Sequence, residues 1–140
     1  MNPSAADQPR IKAQLLVWWI LWSSILAGLC VIYFATVGGK PLPAPSAAEF
    51  SRNLLGFVPL FVSIIIRWLV LPRYTEPSRA LVVFIMGMAL AEGCGIMGIF
   101  LGGAYRDALF VLGVLGVFQY VPFFAKKLFE PKANGFFPNN

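Results

Sequence analysis

Apolar residues fall in four long runs, separated by short polar links rich in proline and glycine. The runs lie at about 14–37, 54–71, 79–101 and 108–125. Each has a length suited to crossing a hydrocarbon core as a helix, which takes roughly 17–25 residues. None alternates apolar and polar residues as a barrel strand does. Backbone groups in lipid must bond within the segment, so helices are expected. The predicted fold is therefore all-α, an integral membrane four-helix bundle spanning 14–127. A polar N-terminal segment at 1–13 precedes it, and an irregular tail at 128–140 follows.

The links support these boundaries. Gly38-Gly39 ends the first run, and Pro41, Pro43 and Pro45 then forbid helix. Ser46 and Glu49 stand at capping-box spacing, so a new helix is expected to begin there and run on as the second span. Pro59 is expected to kink that span and Pro72 to stop it. Pro77 suits the first turn of the third helix, where its missing N–H is no loss. Gly102-Gly103 ends that helix, and Pro122 lies near the end of the fourth. The first run is too long for a signal-peptide core, so it is expected to stay attached as a span.

Composition agrees with a lipid setting. Of 140 residues, 59% are hydrophobic and 12% charged, against roughly 25% charged in soluble domains. The mean hydropathy is +0.75. Too few polar side chains remain to cover a soluble surface. The net charge is +5, but the cations sit at the ends of apolar runs rather than in a patch. That pattern points to topology rather than to nucleic acid.

Seven Lys and Arg lie on the side of both termini: Arg10, Lys12, Arg73, Arg79, Lys126, Lys127 and Lys132. Three lie on the other: Lys40, Arg52 and Arg106. The positive-inside tendency predicts both termini in the cytoplasm, in a multi-pass protein of the cell inner (cytoplasmic) membrane. Trp18, Trp19 and Trp22 are expected at the headgroup boundary, and Tyr33 is expected to be interfacial.

The chain contains no His. Cys30 and Cys94 fall inside apolar runs, where a cysteine behaves as a small hydrophobe. No nucleophile–base pair, metal-ligand cluster or phosphate loop stands out, so no enzyme, cofactor or metal is expected.

Two charges lie inside the spans. Glu92 is about 22 Å from Pro77 and about 15 Å from Gly102 along an ideal helix. An ionisable group at that depth is a functional candidate by default. A low-dielectric setting disfavours the charged form, and a neutral carboxyl can donate one hydrogen bond. Glu92 thus has two readings: interhelical glue, or an ion- or proton-binding group. Arg67 either snorkels past Pro72 to the headgroups or pairs with Glu92. Gln119 and Tyr120 are further candidate partners of Glu92. Gly87, Ala91, Gly95 and Gly98 offer the small surface that lets membrane helices approach closely.

The stretch 86–100, MGMALAEGCGIMGIF, resembles the carboxylate-bearing second helix of proteolipid subunit c of rotary ATP synthases. The preceding loop with Arg73, Glu76 and Pro77 is similar to that family's Arg-polar-Pro loop. The resemblance covers 73–100 and implies that Glu92 binds a proton or sodium ion, with spans two and three as the hairpin. Span two departs from the family's glycine-repeat helix, with only Gly56, and with Pro59 and Arg67 present. The whole chain is also similar to small four-helix bacterial membrane proteins of unknown function with an Ala-Glu signature in the third helix. The expected role is a structural or accessory component of a membrane complex or homo-oligomer in the lipid bilayer. The alternative is a proton- or cation-linked protein acting through Glu92.

Overall fold

The computed structural model describes residues 8–44 and 47–129. Helix α1 is Gln8–Val37, α2 Ala47–Ile65, α3 Pro77–Leu101, α4 Arg106–Phe118 and the short α5 Ala125–Phe129. The described chain is all-helical. Four stretches are long and apolar enough to cross a membrane: Pro9–Val37, Leu54–Arg73, Pro77–Leu101 and Gly103–Phe129. The capping box expected at Ser46 lies outside the described residues, as do 1–7 and the tail from 130.

Helix ends follow the glycines and prolines, with two departures. Gly38 and Gly39 close α1 with φ of 47° and 75°, a backbone region that Cβ-bearing residues avoid. Pro77 opens α3. Pro59, however, sits inside α2 without ending it. The irregularity comes later, where Ile66–Val70 forms a π turn and the Leu71 N–H reaches back to the Ile66 carbonyl. A 3₁₀ turn, Leu71–Arg73, completes that span. The fourth span is also divided. Helix α4 stops at Phe118, and Pro122 has no N–H with which to continue it. A 3₁₀ turn at Pro122–Phe124 then leads into α5.

Helix α3 is central and touches α1, α2 and α4, with its most extensive pairing to α4. Among the described residues α1 and α2 share no contact, so they flank the α3–α4 pair from different sides. The α3–α4 crossing is close because both helices present glycine. A Cβ on Gly113 would fall 2.6 Å from the Gly95 Cα, and one on Gly116 would fall 2.9 Å from the Ala91 Cβ. Gly98 receives Leu109 in the same way. Gly87, Ala91, Gly95 and Gly98 are all buried, as close helix approach in lipid requires.

Aromatic residues fill the end of the bundle nearest both termini. Trp18, Phe84 and Tyr120 are buried there with Leu71, Met88 and Ala125. The Trp18 ring lies 4.7 Å from that of Phe84. Of the three tryptophans on α1, only Trp19 is exposed. Trp22 donates its indole N–H to the Val117 carbonyl at 3.0 Å. Trp18 and Trp22 thus fasten α1 to the rest of the bundle. At the opposite end the Tyr33 hydroxyl donates to Asp107 at 2.8 Å, and its ring stacks on Phe110 at 3.8 Å. Arg106 bonds both Asp107 and the Lys40 carbonyl. This clasp ties α1 to the start of α4.

Candidate functional site

The polar groups inside the spans collect at two places. The first is a seam between α2, α3 and α4, centred on Ser63, which is fully buried. Its hydroxyl donates to the Gly87 carbonyl on α3 at 2.8 Å. The Tyr120 hydroxyl, also buried, donates to the Ser63 carbonyl at 2.6 Å. The Gln119 side-chain amide donates to the Ser63 hydroxyl at 3.4 Å. One turn further along span two, Arg67 Nε donates to the Gln119 backbone carbonyl at 2.6 Å. The Arg67 guanidinium lies over the Phe124 ring at 4.4 Å.

The seam exists because glycine stands at position 87. The Tyr120 hydroxyl and ring occupy the space where a Cβ would be. Every buried side-chain nitrogen and oxygen among the described residues has a hydrogen-bond partner. That matters in lipid, where no water replaces a missing bond. Through these bonds the seam holds spans two, three and four in register.

The second place is Glu92. It is half-buried, on α3, between Met88 one turn before and Ile96 one turn after. Met88 belongs to the buried cluster that contains Trp18, and Ile96 packs against the cluster that contains Leu29. Among the described residues it makes no hydrogen bond or ion pair. The adjacent Gly93 meets open space.

The four polar residues singled out in the sequence are therefore not one site. Arg67, Gln119 and Tyr120 come together around Ser63, and none of them bonds Glu92. Arg67 engages Gln119 and Phe124 instead of pairing with the carboxyl. The residue that sequence reasoning passed over is Ser63. Its signal was weak: one small hydroxyl in an apolar run, opposite a tyrosine and a glycine on other helices.

Cys30 and Cys94 are both free thiols, Cys94 buried and Cys30 half-buried. Among the described residues no three Asp, Glu or Cys side chains converge on a point that could hold a metal ion. No known protein family, curated protein or solved structure matches the chain.

Proposed function

We propose that this chain is a structural or accessory component of a membrane assembly, joined to its neighbour along the Glu92 edge of α3. The observation that carries this reading is the Glu92 carboxyl itself. It sits near the middle of a span, half-buried, without a hydrogen-bonding partner among the described residues. A carboxyl at such a depth is unfavourable by a few kcal/mol. A donor on an adjacent chain would offset that. Gly93, with open space beside it, leaves room for another helix to approach. The charge asymmetry of the links favours both termini in the cytoplasm and hence the cytoplasmic membrane.

The test is recovery from the native membrane in mild detergent. Glu92→Gln keeps a hydrogen-bonding group and should retain the assembly. Glu92→Leu removes it and should release a smaller particle. A strictly monomeric wild-type particle, free of other proteins, would refute the reading. Reporter fusions at both ends test the orientation: activity on the cytoplasmic side is expected for each.

The rival is a proton- or cation-linked role, motivated by the same mid-span carboxyl. In proteoliposomes it predicts a flux that Glu92→Gln abolishes. The accessory reading predicts no flux in either protein.

A further inference from the structure

A cavity of about 210 Å³ opens at the helix ends nearest the termini, lined by Arg67, Leu71, Pro72, Tyr74, Phe124, Lys127 and Leu128. Two cations share it, and no acidic side chain is among its described lining residues. Two acids stand two residues from the lining in sequence: Glu76 is engaged by Arg79 at 2.9 Å and by Ser78 at 2.6 Å, and Glu130 lies outside the described residues.

Arg67 is held rather than free. Its Nε bonds the Gln119 carbonyl, and its guanidinium rests over Phe124. The two terminal nitrogens have no hydrogen-bond partner among the described residues. A fixed guanidinium with its outer edge open matches two oxygens of a phosphate. Lys127 adds a second charge, and Tyr74 can add a hydroxyl donor. The remaining wall is apolar and sits against the ends of membrane spans.

We infer that this cavity binds the phosphate of an anionic phospholipid, with Arg67 and Lys127 as its charge partners. Basic pockets between spans are the usual seats of such headgroups. The apolar wall of Leu71, Pro72 and Leu128 selects a lipid over a soluble phosphate, because glycerol and acyl carbons can cover it. The inference does not depend on the role of Glu92.

The experiment uses the purified full-length chain in a neutral detergent. It is titrated separately with dioleoylphosphatidylglycerol, dioleoylphosphatidylcholine and inorganic phosphate, with bound ligand counted by native mass spectrometry. Phosphatidylglycerol should bind best. Lys127→Gln should weaken it about tenfold, the scale of one lost charged hydrogen bond. Lys126→Gln removes the same charge from an exposed position outside the cavity and should weaken it clearly less. Arg67→Gln should act like Lys127→Gln. Should that variant not fold, Lys127→Gln and Tyr74→Phe still decide the matter. Equal binding of the two lipids, or equal losses at Lys126 and Lys127, would overturn the site. Inorganic phosphate binding as tightly as phosphatidylglycerol would overturn the lipid assignment.

Discussion

Gly87→Ala is the smallest change that tests how the three-helix seam is built. A Cβ at Gly87 would overlap the Tyr120 hydroxyl and lie 2.7 Å from its Cε1. Tyr120 is fully buried, so it cannot swing into solvent to make room. Overpacking of this kind costs about 1–3 kcal/mol. Displacing Tyr120 also breaks its bond to Ser63, and interhelical bonds in membranes are worth about 0.6 kcal/mol on average and about 1.7 at most. The expected loss for Gly87→Ala is therefore about 2–5 kcal/mol. If the collision is the cause, it should vanish when Tyr120 is truncated. In a Tyr120→Ala background the added methyl enters the vacated space, and Gly87→Ala should cost almost nothing. The double-mutant cycle should thus show a coupling of about 2 kcal/mol or more. Reversible unfolding in mixed micelles of increasing SDS fraction measures all four proteins. An equal penalty for Gly87→Ala in both backgrounds would refute the placement of Tyr120 against α3.

Four further outcomes follow from the packing. Gly113→Ala should destabilise by about 1–3 kcal/mol, since its Cβ would meet Gly95 backbone that cannot move aside. Gly93→Ala, with open space around it, should be near neutral in the same micelle assay, and a reversed order would contradict the α3–α4 crossing. Maleimide should label half-buried Cys30 faster than buried Cys94 in the folded protein; preferential labelling of Cys94 would place that face of α3 outside the bundle. Tyr33→Phe removes the donor to Asp107 and should weaken the α1–α4 clasp by about 0.6–1.7 kcal/mol. It should be read as faster hydrogen exchange near Lys40, and unchanged exchange would mean that the stacking on Phe110 carries the contact alone.

The spans were legible because length and apolar content alone decide them. Gly87, Ala91, Gly95 and Gly98 were legible as a packing surface because small residues have few other uses in a membrane helix. The internal shape of the spans was not. The π turn at Ile66–Val70 stands just before Pro72, a residue that marks the end of a helix but not the form its last turns take. Across that stretch Arg67 and Ser63 bond Gln119 and Tyr120, just after α4. The partners of Glu92 were misjudged for a geometric reason. Tyr120 meets α3 at Gly87, five residues before Glu92. Five residues turn an α-helix by about 500°, which leaves the two positions about 140° apart. Depth can be counted along a sequence, but azimuth needs the neighbouring helix. Trp18 and Trp22 show the same limit: the sequence does not say that they turn toward a buried aromatic cluster and the Val117 carbonyl.

The absence of any described contact between α1 and α2 bears on how the protein is made. Spans leave the ribosome in order, and two adjacent helices often pair as soon as they enter the bilayer. Here the first two share no contact among the described residues. Their main contacts lie with α3 and α4, which follow them in the chain. Docking of the first two helices in this bundle therefore has to await the helices that come after them.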